Sequence, residues 1–402
     1  MSTKLCIKQG SLAWLLVGVL GIAGCADLLG LRSSNLEGPC TQNTDCAPGS
    51  TCIETQCLRS SCEAGDAPRC SGLTVQECTD EGTWTSHETP CSELCVSGAC
   101  VPAPSCTRNL SCEGDISCCY SIEVPSREFS LTYYVNSDDR SRGEREALSV
   151  QRHVGHFALD KFEVTVGRFR EFFAAFDEAK ALLVDGAGAP YLHPELGWQS
   201  AWNEDVTLVP GSADSLSRTV IGAQDLGARN IDPRLPVHAV PWYLAFAFCI
   251  WDQGRLPTES EWALAATGGE QREYPWPNDD GLPKISAARA RYASDDDAKT
   301  GPSPVGTHHD GAGAWGHEDL AGNVAEWLSD LYVAELQATC SSDDTTDRHA
   351  TDCVTSGVGW QRALRGGSYI SEPIRLTNAN RSGADARGAL PSIGFRCARD
   401  LR

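Results

Sequence analysis

Ten of the chain's 20 cysteines fall between residues 40 and 100, in a stretch with very little aliphatic sequence. So few apolar residues cannot hold a fold unaided, and disulfides have to supply the constraint. Cys40, Cys46, Cys52 and Cys57 form one evenly spaced set; Cys62, Cys70, Cys78, Cys91, Cys95 and Cys100 form a second around Trp84. Each reads as a small stapled module, more often a spacer or protein-binding knot than an enzyme. Six cysteines alone allow 15 pairings, so the connectivity stays open.

Disulfides require an oxidising compartment, and the first 25 residues read as an export signal. Lys4 and Lys8 supply its charged start, and Leu12 to Ile22 its short apolar core. Ile22-Ala23-Gly24-Cys25 then matches a bacterial lipoprotein cleavage box. Acylation of Cys25 would anchor the protein to a membrane at the cell envelope, periplasmic or surface-exposed. In a plain signal peptide cleaved nearby, Cys25 would be incidental. The apolar run is too short for a comfortable span, and no later stretch approaches one. Setting aside Cys6 and Cys25 leaves 18 cysteines, an even number. No CxxC pairs with a second CxxC or an HxxxH at zinc spacing.

The 33 basic and 54 acidic residues give a net charge of −21, which repels nucleic acid and anionic lipid and suits cations, Ca²⁺ among them. Residues 1–25 are expected as the lipoprotein signal, 26–105 as tether and cysteine-rich modules, and 106–402 as one large α+β domain. A Pro-bearing link, Val101 to Ser105, leads into it, and Cys106, Cys112, Cys118 and Cys119 should staple its first strand. Residues 157–165 alternate like a half-buried strand. Phe169, Phe172, Phe173 and Phe176 recur at helical spacing, predicting an amphipathic helix over 166–176 with a core-facing stripe. Trp242 to Trp251 suggests a second helix. A third starts at Thr258, where Thr258-x-x-Glu261 is a capping box. Gly366-Gly367 points to positive φ or close backbone approach.

Four segments carry a resemblance. In order they are KFEVT (161–165), GRLPTESEW (254–262), LAGNVAEW (320–327), and RGGSY (365–369) with GFRCA (394–398). Together, across about 240 residues, they resemble the formylglycine-generating-enzyme, or sulfatase-modifying-factor, family. The resemblance implies an irregular α+β fold related to C-type-lectin folds. It implies a calcium ion held by Asp319, Gly322, Val324 and Glu326, the middle two through backbone carbonyls, with Asn323 holding the turn. Ca²⁺ takes such mixed oxygen sets; otherwise the turn simply caps the next element and Glu326 is solvated. The family's other calcium position falls on Arg291, and Asp295-Asp296-Asp297 has no clear counterpart. The resemblance further implies a disulfide between Cys249 and Cys397. A second family disulfide is missing at both ends, at Ala266 and roughly Asn378, while Cys340 and Cys353 should close a local loop.

In the family's oxidases two cysteines shortly after the GGS-Tyr segment bind copper and engage the substrate cysteine. Here Ser371 stands where the first would be, and no cysteine lies between Cys353 and Cys397. Cu(I) requires soft thiolates, so copper is not expected. Ser368 matches a cleft-lining serine and by itself is only a pocket residue. His308-His309-Asp310 could grip a metal, though adjacent loop histidines are usually solvated; His153 and His156 should face opposite ways. A GxGxxG match at 311–316 lacks its strand and helix. Three readings remain. The first is an exported, lipid-anchored scaffold whose cleft binds peptide, protein or glycan. The second is a divergent oxidase of protein cysteine. In the third, the large domain is only a platform for the cysteine-rich modules.

Overall fold

A computed structural model describes the backbone of residues 36–39, 50–53 and 56–59, and residues 67–401 except 72, 82, 88–90, 92–93, 97–98, 107–109, 136–145, 191–195, 208–230, 279–283, 294–300 and 337–360. Cys25, Cys340, Cys353 and Asp295 to Asp297 lie outside the described residues. The chain divides into two compact units, Met1–Ser60 and Ser61–Arg402. In the first, strand Gln56–Arg59 lies between Leu36–Pro39 and Ser50–Ile53, with Cys52 opposite Cys57 in register.

The second unit opens with the second cysteine set. Strands Arg69–Ser71, Thr74–Cys78 and Trp84–Ser86 form one small sheet, and Leu94–Val96 with Ala99–Val101 a hairpin. Disulfide Cys70–Cys95 ties the two together, and Cys91–Cys100 joins the hairpin to the segment ahead of it. The set is not free of the large domain. Leu73 packs against Ala158 and Leu401, and its amide donates to Glu123 at 2.6 Å. Next come Cys106–Cys119 and Cys112–Cys118, which close the turns just ahead of the first large-domain strand.

In that domain β1 (Ser121–Val124) and β9 (Ala398–Asp400) flank β4 (Phe157–Asp160), all antiparallel. A long hairpin pairs β2 (Arg127–Tyr134) with β3 (Ala147–Val154). The third sheet runs β7 (Ser382–Asp385), β6 (Gln361–Arg365), β5 (Ala325–Leu331), β8 (Ile393–Gly394), the last pair parallel. The strand expected over 157–165 stops at Asp160. Beyond it the chain leaves the sheet, and Val164 bonds instead to Phe395 and Val237.

The Phe stripe lies in the core, but on two helices. α1 (Val166–Ala174) is capped by the Thr165 hydroxyl, which accepts from the Arg168 amide at 3.2 Å; it breaks at Ala175, and Phe176 begins α2 (Phe176–Ala181). Phe169 and Phe172 are fully buried against Phe248 of α3 (Trp242–Trp251). Apolar on every face, α3 forms the centre of the largest core cluster. α4 (Glu259–Thr267) carries the full Thr258–Glu261 capping box and buries Trp262.

A buried ionic lattice joins these parts. Arg168 of α1 reaches Asp160 at the end of β4 (2.8 Å), Asp252 just past α3 (2.7 Å) and the Ser105 hydroxyl (2.9 Å). Arg399 of β9 pairs with both Asp160 and Asp252. Ser121 donates to Asp160, and the Ser105 amide to Asp252. Burial alone would push the Asp160 carboxyl up, but Arg168 and Arg399 overcome it and hold it below the ordinary value. Beside the lattice, Cys249 of α3 is bonded to Cys397.

Two guanidinium groups against two carboxylates balance in charge, so removing one strands the others. Replacing Arg168 by Met, of similar length, should destabilise the second unit by about 3–5 kcal/mol, measured by urea unfolding. A loss below about 1 kcal/mol would mean the lattice is not what holds α1 to the sheet.

Candidate functional site

The turn from Asp319 to Glu326 is built from backbone that few residues accept. Asp319, Gly322 and Asn323 all take positive φ, at 59°, 86° and 54°. At Gly322 any Cβ would stand 2.2 Å from the Arg291 carbonyl. Asn tolerates this conformation and locks it with its amide. Asn323 Nδ2 donates to Glu163 (2.6 Å), Oδ1 accepts from the Ser303 amide (2.9 Å), and its backbone N–H donates to the Arg291 carbonyl (2.8 Å). Arg291 in turn donates to the Gly301 carbonyl at 3.1 Å.

Asp319, Gly322 and Val324 on the turn and Glu326 at the start of β5 are all buried. Glu326 is not solvated. Its Oε2 accepts from Trp262 Nε1 (2.9 Å) and Arg396 Nε (2.8 Å), and its Oε1 from Arg396 Nη2 (2.7 Å). One lone pair of Oε1 remains beyond these bonds. The Asp319 carboxylate accepts from the Gly306 amide at 2.7 Å, and burial pushes it up to about 6.

Sequence reading missed Glu163. It lies in KFEVT, where it passed for the polar half of a strand, yet it is fully buried between buried Phe162 and Val164. Its oxygens accept from Asn323 and, at 3.0 Å, from the Val324 amide. Burial, and then the charges of Asp319 and Glu326, push its carboxyl well above the ordinary value. An acidic residue between two core positions was the available signal. Three buried carboxylates therefore share the field of one guanidinium, Arg396, around a turn of hard oxygen donors. That donor set fits Ca²⁺.

The GGS segment packs on the same turn. Gly366 and Gly367 take φ of 87° and 68°; the Gly366 carbonyl accepts from the Gly322 amide, and the Tyr369 amide donates to the Asn323 carbonyl. Ser371 folds back so that its Oγ lies 3.2 Å from Ser368 Oγ and accepts from the Ser368 amide at 3.0 Å. Ser368 is buried, Ser371 half-buried, and Ile370 and Ile374 beside them are exposed. Every cysteine whose side chain is described is disulfide-bonded, so none there offers a thiolate. Two hydroxyls do not make a Cu(I) site. A groove of about 450 Å³, lined by residues such as Thr132, Tyr134, Gln271, Lys284 and Asn378, contains neither serine.

His308 is not the solvated loop residue expected. It is buried, with Nδ1 at 2.6 Å from the Ala287 carbonyl and Nε2 at 3.2 Å from Ser303 Oγ. His153 and His156 have separate neighbours, Ser126 and Glu123.

An irregular α+β domain whose turns are pinned by buried Glu, Asn and Arg side chains defines the class of scaffold. The sulfatase-modifying factor enzyme 1-like domain model matches residues 121–401, and the chain belongs to that family. It is 33% identical over 178 residues to a formylglycine-generating enzyme of Thermomonospora curvata, covering 42% of this chain and 56% of that protein. The chain thus spans about half the length of that relative. It is 30% identical over 289 residues to an inactive C-alpha-formylglycine-generating enzyme 2 of Mus musculus, covering 69% of this chain and 84% of that one. Among solved structures, PvdO from Pseudomonas aeruginosa is similar with a TM-score of 0.45 and 21% identity, over 70% of this chain and 94% of that one.

The carboxylates set a pH dependence. In the folded chain Asp319 keeps its proton up to about 6, whereas unfolded it loses it near the ordinary 3.8. Glu163 shifts the same way. With divalent ions chelated, folded stability should therefore fall as pH rises from about 4 to about 6. Asp319→Asn should flatten that fall; urea unfolding midpoints across the range read it. An unchanged profile in the variant would show that Asp319 is not the strained group.

Proposed function

We propose that this protein is an exported, lipid-anchored member of the family that no longer oxidises cysteine and uses the retained scaffold for binding. The supporting observation is Ser371, at the place the resemblance gives to the family's first copper cysteine, with its hydroxyl 3.2 Å from that of Ser368. The sequence offers no second cysteine between Cys353 and Cys397. Ser371, the exposed Ile370 and Ile374 and half-buried Tyr369 present hydrogen-bonding and apolar contacts without a redox centre. Such a surface suits a peptide, protein or glycan, in keeping with the binding roles of lectin-like folds, an analogy at the level of fold. A calcium ion held by Asp319, Glu326 and the Gly322 and Val324 carbonyls, with Glu163 alongside, would relieve the buried negative charge and stiffen the turn under the GGS segment. The ion's role is structural. Acylation of Cys25 supplies the anchor.

The oxidase reading draws on the name of the Thermomonospora relative. A CxPxR peptide incubated with the purified protein and Cu(I) separates the two by mass spectrometry. The expected result is unchanged peptide; formylglycine would overturn the binding reading. Thermal melts should show Ca²⁺ raising Tm by a few degrees over chelator, with the rise lost in Asp319→Asn. Palmitate labelling should vanish in Cys25→Ala, and labelling that persists would end the lipoprotein assignment.

A further inference from the structure

A second polar cluster lies apart from the Ser368–Ser371 surface, where the hairpin of Ser111–Glu113 and Ile116–Ser117 meets the loop ahead of Asp319. It holds Glu113, Lys161, His309 and Glu318. Both carboxylates meet Lys161 and His309. Lys161 Nζ takes Glu113 Oε2 at 3.1 Å and Glu318 Oε1 at 3.0 Å, and gives its third hydrogen to the Gly316 carbonyl at 3.0 Å. His309 Nδ1 lies 3.4 Å from Glu113 Oε1 and close to both oxygens of Glu318, 3.1 Å from Oε1 and 3.0 Å from Oε2.

One donor atom from each of Glu113, His309 and Glu318 therefore converges, all within 4.8 Å of one another. Separations of 3.0–3.4 Å are those expected between ligands each bound at about 2.0–2.2 Å to one ion. The charge count points the same way. Two carboxylates face a single ammonium, and Arg396 reaches Glu318 only at its backbone carbonyl (2.8 Å). One negative charge is left over beside an imidazole. Either a proton on His309 or a metal ion takes it up.

The structure discriminates by what surrounds the donors. Lys161 holds one oxygen of each carboxylate and so fixes the orientation of both, as supporting groups do around metal centres. The His309 side chain is 55% exposed, which leaves an entry path and an open position for water. An imidazole nitrogen with two carboxylate oxygens suits a first-row transition ion rather than Ca²⁺, which prefers oxygen alone. We infer that Glu113, His309 and Glu318 bind a divalent first-row transition ion, of which Zn²⁺ is the natural probe, clamping the Cys112–Cys118 hairpin onto the family domain. Glu113 rides on that hairpin next to Cys112, while His309 and Glu318 belong to the loop, so the ion bridges two segments about 200 residues apart in sequence.

The test is Zn²⁺ titration of the full-length protein by calorimetry, with saturating Ca²⁺ present to fill any oxygen-only site. One equivalent per chain should bind, with affinity falling more than about tenfold in both His309→Ala and Glu113→Gln. Amide hydrogen exchange over residues 111–117 should slow on Zn²⁺ addition and stay fast in the variants. Saturating Ca²⁺ keeps this readout separate from the oxygen-only site, so failure of the calcium reading would not touch this one. Absence of binding, or binding equally strong in His309→Ala, would overturn the site and leave His309 as a protonated clasp between two carboxylates. An equal loss in His87→Ala, a surface histidine paired with Glu77, would also overturn it by marking the uptake as adventitious.

Discussion

The Asp160–Arg168–Asp252–Arg399 lattice is the constraint on which the second unit's arrangement depends. It ties together the segment ahead of β1 through Ser105, the first helix, the end of the central helix and the C-terminal strand. A fold with so little regular structure cannot rely on long ladders to set register between distant segments. Paired charges in a low-dielectric interior are directional, and a mispaired alternative leaves a buried charge uncompensated at a cost of several kcal/mol. The same device recurs at Glu261–Arg255, Glu326–Arg396 and Glu259 with Arg365 and Arg381. Burial opposes ionisation of Glu259, yet the two arginines hold it down at about 2.

Those pairs explain why the four motifs were readable and why their roles were not. GRLPTESEW supplies Arg255, Glu259, Glu261 and Trp262, and GFRCA supplies Arg396 and Cys397; Arg255 and Glu261 pair within their motif, but the partners of Glu259, Trp262, Arg396 and Cys397 lie far away in sequence. Spacing showed the capping box at Thr258 because both of its halves are local. It could not show that Glu259 receives Arg365 and Arg381, more than a hundred residues on. Helix α3 was legible from its apolar run and the Phe stripe from its period. The break at Ala175 was not, since nothing local distinguishes a continued helix from two that share a turn.

The loop at Asp319 was half legible. Gly322 and Asn323 announce a turn with positive φ, and their neighbours could be carried over by position. Glu163 and Arg396 complete the electrostatics from opposite ends of the domain, and only the fold unites them. The second cysteine set shows the converse limit. Its composition marked it as disulfide-held, and Cys70–Cys95 and Cys91–Cys100 hold it. That Leu73 packs on β4 and the C-terminus is a property of the folded surface, which cysteine spacing does not encode.

Ser371 sits outside every one of these load paths. Its hydroxyl bonds to Ser368, and its carbonyl to the Ala293 amide; no buried ion pair runs through it. A thiol exchanged for a hydroxyl at such a position therefore costs the scaffold little, because the turn beneath is fixed by Asn323 and Gly366 whatever side chain stands above. The site for chemistry and the structure that presents it are separable. That separation is the physical reason a chain can keep this family's fold, with its buried charges and its pinned turn intact, whatever side chain stands at position 371.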